Sequence, residues 1–211
     1  MGFQKPSRIP TPEKALEIIS PLSPEIYRAF EHGGQKAREY FERESVEYDG
    51  SAYATIVRLH AKDYLKNHPE FAKVVFDALS MCGISFLFRN WKFRLWKSAD
   101  RRAPKLPRPD SAQKQLYYVQ PAQLELFAHK KKKKAGAHVH FVILWNLDGK
   151  GNLETLWLVC PKDFNPQTGE IKVHWIVEIT NPIAGIQQAT PPSPAPALPL
   201  EPRKTPATKE A

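Results

Sequence analysis

The order of hydrophobic patterns along the chain predicts an α+β fold, with N-terminal helices packed on an antiparallel β-meander. Three observations carry this. Apolar residues keep helical spacing as far as Leu79, and from Ile84 onward aromatic and β-branched residues dominate. Short turn motifs then separate three apolar runs between His138 and Ile179.

Thr11-Pro12-Glu13 and Ser23-Pro24-Glu25 each place a capping hydroxyl before a proline and an acid, the signature of a helix start. After Ser23 the residues Ile26, Tyr27, Phe30, Ala37, Tyr40 and Phe41 keep helical spacing, and Gly33-Gly34 predicts a kink or short break between them. Tyr48-Asp49-Gly50-Ser51 reads as a turn. A second helix follows with Tyr53, Ile56, Val57, His60, Tyr64 and Leu65 on one face, stopped by Asn67-His68-Pro69. Phe71, Val74, Val75, Ala78 and Leu79 predict a third helical segment.

Ile84 to Trp96 reads as a strand. From Arg89 it alternates, with Trp91, Phe93 and Leu95 on one side and Lys92, Arg94 and Trp96 on the other. Residues 98–114 hold Pro104, Pro107 and Pro109 and read as an extended loop, with Leu116 to Val119 as a short strand. His138 to Trp145, Leu153 to Cys160 and Ile171 to Ile179 are the strands of the meander, joined at Asp148-Gly149 and Asn165-Pro166. The predicted organisation is an N-terminal extension with a short helix over 1–22 and a single α+β domain over 23–186. Within the domain the helices fall in 24–80 and the sheet in 84–180. A Pro-rich tail over 187–211 completes the chain, and seven of the 23 residues from Ala189 are proline, a composition that predicts disorder.

No apolar run approaches the ~20 residues that a membrane-spanning helix needs, and the polar first thirty residues lack the core of a secretory signal. The two cysteines, Cys82 and Cys160, lie in apolar runs and read as reduced core thiols. These features predict a cytoplasmic protein without a membrane partner.

The net charge of +9 is concentrated: between Arg89 and Lys134 fourteen basic residues accompany three acidic ones. Such a localised field attracts polyanions. Arg89, Lys92, Arg94, Lys97, Arg101, Arg102, Lys105, Arg108 and Lys114 are interleaved with Trp91, Phe93, Trp96, Tyr117 and Tyr118. Cations neutralise phosphates and flat rings stack bases, so the leading expectation is a nucleic-acid-binding protein. The expected ligand is RNA or single-stranded DNA, because the cations accompany strand and loop rather than a groove-reading helix. Trp96, on the cationic side of the strand, is the expected exposed ring. Lys130, Lys131, Lys132, Lys133 and Lys134 form a run that must be solvated and would support the same contact.

Two alternatives stand beside it. His138 and His140, two residues apart in a strand, face one side, and His174 on the last strand is near enough in pattern to join them. These three are the candidate catalytic residues of a small nuclease, either metal-assisted through His138 and His140 or working through histidine chemistry alone. No acid lies on the 138–145 strand to complete a metal site, so neither metal nor cofactor is expected, and recognition is favoured over catalysis. The other alternative is a protein–protein module docking an acidic partner on the basic half.

Overall fold

The computed structural model describes residues 9–79, 82–100, 103–120, 138–148 and 150–181. It is an α+β fold: three N-terminal helices, α1 (Pro12–Ile19), α2 (Ser23–Glu44) and α3 (Gly50–Asn67), packed against a six-stranded, mostly antiparallel sheet. The strands are β1 (Val75–Phe76), β2 (Ile84–Phe88), β3 (Trp91–Lys97), β4 (Val139–Leu147), β5 (Leu153–Phe164) and β6 (Ile171–Ile179), in that spatial order. A fourth helix, α4 (Ala112–Tyr118), lies between β3 and β4 in sequence. Among the described residues no helix is long and apolar enough to cross a membrane.

Thr11 caps α1 as its motif foretells, but Ser23 is the first residue inside α2, whose N-cap is Leu22 with no side-chain bond, and the expected turn at Asp49 caps α3. Thr11 accepts from the Lys14 N–H, and Asp49 accepts from the N–H groups of Ser51 and Ala52. α2, however, runs through Gly33-Gly34 without a break. The glycines serve packing: a Cβ on Gly33 would stand 2.5 Å from the Val57 carbonyl oxygen of α3, and one on Gly34 would stand 2.0 Å from the Gly151 carbonyl oxygen of the β4–β5 hairpin. Lost helix propensity, about 1 kcal/mol per glycine, is exchanged for close backbone approach.

The helical segment expected from Phe71 to Leu79 is not formed: a single 3₁₀ turn, Pro69–Phe71, is followed by β1, which pairs antiparallel with β2. The 84–96 run is not one strand but a hairpin. Arg89 and Asn90, with φ of 48° and 66°, make a two-residue turn of the left-handed kind that suits strand twist. β3 then pairs with β4 in parallel, so the sheet is not a pure meander. The 98–120 connection makes that parallel crossing, and Ala112–Tyr118 within it is helical where a short strand was expected.

The main core lies between the three helices and one sheet face. Trp145 is fully buried there with its ring 4.8 Å from Phe30, and Phe86, Phe93 and Phe141 stack in a row beneath. The Tyr27 hydroxyl donates to the Ile179 carbonyl at 2.6 Å and ties α2 to β6; burial pushes its pKa up to about 12. The opposite sheet face is also covered. Leu106, Tyr117 and Tyr118 close over Val142, Leu144 and Val159 in a second, smaller core. The predicted tail over 187–211 lies outside the described residues, as do Arg101, Arg102 and Lys130 to Lys134.

Candidate nucleic-acid interface

The β3 alternation is as read from the sequence: Phe93 and Leu95 enter the main core, while Lys92, Arg94 and Trp96 project to the α4 side. There Lys92 and Arg94 meet residues from the stretch after β1 and from β2, α4 and β4 in a groove of about 350 Å³ lined by Asp77, Leu79, Ser85, Tyr117 and His140.

The β1–β2 pairing builds one wall. The Asp77 N–H donates to the Ser85 carbonyl at 2.9 Å, and Asp77 Oδ2 accepts from Ser85 Oγ at 2.6 Å and pairs with Lys92 Nζ at 3.0 Å. Burial alone would raise the Asp77 pKa, but the hydroxyl and the ammonium outweigh it and hold the carboxyl below its ordinary value.

Tyr117 forms the floor. Its hydroxyl lies 2.9 Å from the Lys92 carbonyl and 2.8 Å from that of Phe141, so one phenolic proton bridges the parallel strands β3 and β4. Burial pushes its pKa well above the ordinary value. The His140 ring stacks on Tyr117 with centroids 4.6 Å apart. His140 Nδ1 stands 3.2 Å from the Tyr117 carbonyl, which can only accept. Nδ1 therefore carries the hydrogen and Nε2 keeps its lone pair. Desolvation lowers the His140 pKa to about 4, so the imidazole is neutral at physiological pH.

Arg94 is the centre of the arrangement. Its guanidinium lies 4.8 Å from the Trp96 ring and 5.6 Å from that of Tyr117. More than half buried, it has its pKa pulled down by desolvation yet stays cationic. Among the described residues no carboxylate forms an ion pair with it. Two rings fix its plane, and its N–H donors remain for an acceptor.

The remaining predicted residues are distributed as follows. Trp96 is half-buried, packed edge-on against Tyr117 at 5.4 Å and against Tyr118 at 5.2 Å, with Arg94 above it. It is thus not the open platform expected from the sequence, because the 98–118 segment covers that sheet face. Arg89 stands exposed at the β2–β3 turn, 5.2 Å over Phe88. Lys105 and Arg108 are exposed on the segment anchored by Leu106, and Lys114 pairs with Asp110 at 2.7 Å. Lys97 departs from the group: it lines a different cleft on the helical side of the sheet.

His138, at the start of β4, has Nδ1 3.0 Å from the Asn90 carbonyl. His174 is exposed on β6, two strands away, its pKa lowered by desolvation and by Lys162. Among the described residues no group of three or more His, Cys, Asp or Glu is arranged to hold a metal ion. Both cysteines are free; Cys160 is buried, its thiol pushed up to about 12 by desolvation, and Cys82 is partly exposed.

Asp77, Ser85 and Gln120 belong to this region and carry no local sequence signal. Gln120 Nε2 donates to the carbonyls of His140 at 2.9 Å and Pro161 at 2.8 Å, and its Oε1 accepts from the His140 N–H at 3.1 Å. Pro161 has no N–H to offer, so this side chain completes the hydrogen bonding where β4 meets the irregular stretch of β5.

No protein-family model, curated protein or solved structure matches this chain.

Proposed function

We propose that the protein binds single-stranded nucleic acid, RNA or DNA, through phosphate contacts on the α4 side of the sheet. The observation that carries this reading is Arg94: a half-buried, ring-clamped guanidinium beside Lys92 in an open groove, where Asp77 is paired with Lys92 and no carboxylate among the described residues forms an ion pair with Arg94. Desolvating a cation is costly without a counter-charge, so a guanidinium held this way suits a transient anion. Exposed Arg89, Lys105 and Arg108 extend the positive surface beyond the groove. In the sequence, the run Lys130 to Lys134 follows α4 and adds to the same attraction. Because Trp96 is covered, backbone contacts dominate over base stacking in this reading, and sequence preference is weak.

The test is a fluorescence-anisotropy titration with labelled single-stranded RNA and DNA oligonucleotides at two salt concentrations. Binding should weaken steeply with salt, and Arg94→Gln should weaken it while reducing the log–log salt slope by about one. A parent protein that does not bind, or a folded Arg94→Gln variant with unchanged affinity and slope, refutes the proposal.

A second reading rests on His140. A neutral imidazole with Nδ1–H engaged and Nε2 able to accept a proton, beside two cations, is also the arrangement of a metal-free phosphodiesterase. Incubation of RNA with the protein in the presence of a chelator decides it. Cleavage that His140→Gln abolishes supports this reading, and intact RNA removes it.

A further inference from the structure

We infer that a second cleft, on the helical side of the sheet, is a binding site for a mononucleotide-class ligand, a flat ring carrying an anionic group. The cleft measures about 550 Å³ and lies between the second half of α2, the loop into α3, the end of β3 and the β4–β5 hairpin. That volume is in the range of small-ligand sites and far from the extended track that a polynucleotide needs.

Its chemistry has two parts. Phe41, Tyr48 and Tyr53 form one aromatic wall, their centroids 5.4 to 5.8 Å apart. Tyr48 is 58% exposed, an unusual state for a large ring in contact with two others, and it leaves a surface on which a second flat ring can lie. Three cations also line the cleft, Arg38, Lys97 and Lys150, with Arg38 beside Tyr53. Two acids share the cleft, Glu42 and Asp148, so its cations outnumber its acids by one, and Asp148 also holds its own turn. Its carboxylate accepts from the N–H groups of Lys150 and Asn152, each at 2.8 Å, and from Asn152 Nδ2 at 2.9 Å. A cation excess beside an aromatic wall disfavours a cationic ligand, which such rings alone would otherwise suit, and favours an anionic one.

The walls are also fixed in advance. Arg38 donates to the Lys150 carbonyl and to Asn152 Oδ1, and the Tyr53 hydroxyl donates to the Gly34 carbonyl at 3.0 Å. A Cβ on Gly34 would stand 2.0 Å from the Gly151 carbonyl oxygen and one on Gly151 2.0 Å from the Tyr53 hydroxyl, so the hairpin is set closely on α2 and α3. A cleft lined by locked elements spends little of its binding energy on ordering. Lys97, on the face of β3 opposite Lys92 and Arg94, makes this site separate from the groove of the proposed function.

The experiment is isothermal titration of the full chain with adenosine monophosphate, adenosine and inorganic phosphate. The nucleotide should bind saturably, with adenosine and phosphate each weaker by about 10-fold or more, since each lacks one of the two recognised parts. Tyr48→Ala should weaken nucleotide binding about 10-fold, and Lys97→Gln several-fold, with unchanged thermal melting as the check on folding. Arg94→Gln should leave nucleotide binding as it is, which keeps this result distinct from the groove. No saturable nucleotide binding, adenosine or phosphate binding as tightly as the nucleotide, an indifferent Tyr48→Ala, or loss on Arg94→Gln overturns the inference.

Discussion

Replacing Gly34 by alanine opposes two effects of known sign. In a helix interior alanine is favoured over glycine by about 1 kcal/mol, so propensity alone makes Gly34→Ala stabilising. The structure says otherwise. The new Cβ would sit 2.0 Å from the Gly151 carbonyl oxygen, more than 1 Å inside ordinary contact, and both sides of the clash are backbone. α2 and the hairpin must separate, and overpacking of this kind costs about 1–3 kcal/mol. Separation also strains the Tyr53 bond to the Gly34 carbonyl and the Arg38 bonds to Lys150 and Asn152, at about 1 kcal/mol for each bond lost. The net expectation is a destabilisation of about 2–4 kcal/mol, or a fall of roughly 5–15 °C in Tm for a domain of this size. Urea unfolding followed by tryptophan fluorescence measures it directly. A variant as stable as the parent, or more stable, would mean that the hairpin does not rest on α2, and the geometry of the nucleotide cleft would fall with it.

Three further outcomes follow from single interactions. His140 titrates near 4 in the folded protein against 6.5 for the free side chain, so between those values the unfolded chain binds a proton that the folded one refuses. Stability present above about pH 6.5 is therefore lost as pH falls toward 4, by roughly 2–3 kcal/mol, and His140→Gln should flatten that part of the pH profile of urea unfolding. Gln120→Ala leaves the His140 N–H and the carbonyls of His140 and Pro161 without their shared partner, and chemical denaturation should register a loss of about 2–4 kcal/mol. Glu25 is only 5% exposed and holds Arg28, His68 Nε2 at 3.0 Å and the Tyr64 hydroxyl at 3.1 Å, so Glu25→Gln should cost about 1.5–3 kcal/mol in the same assay.

The parts of the fold that local chemistry determines were legible. Thr11 caps where a hydroxyl precedes a helical run, and the β3 side chains divide between two faces as period two requires. The misreadings share one cause, contact between segments distant in sequence. Gly33 and Gly34 look like a helix break because propensity is local, whereas their reason is the approach of Val57 and Gly151. Phe71, Val74, Val75, Ala78 and Leu79 fit helical spacing, yet so short an apolar run suits a strand too, and pairing with β2 decides between them. The parallel β3–β4 contact depends on a crossover that no turn motif announces.

The same distinction governs the candidate site. Charge density located its cations, because clustering of Lys and Arg is a property of the linear chain, but it could not rank them. Rank comes from burial and partners: Lys92 pairs with Asp77 and Lys114 with Asp110, while Arg94 is desolvated against two rings and feels Asp77 only across the groove, without an ion pair among the described residues. Asp77 enters only because β1 pairs with β2, which sets it against Ser85, and Ser85 in turn lies opposite Arg94 in the β2–β3 register. Lys97 was separable on paper, since its odd position on β3 already assigns it to the side of Phe93 and Leu95. Counting it with Lys92 and Arg94 merged two surfaces into one. Once the strand's alternation is applied to its charges as strictly as to its apolar residues, the basic segment resolves into a groove centred on Arg94 and a residue lining the aromatic cleft. These two surfaces face opposite sides of one strand, so no single nucleotide residue can touch both, and their ligands must be assayed apart.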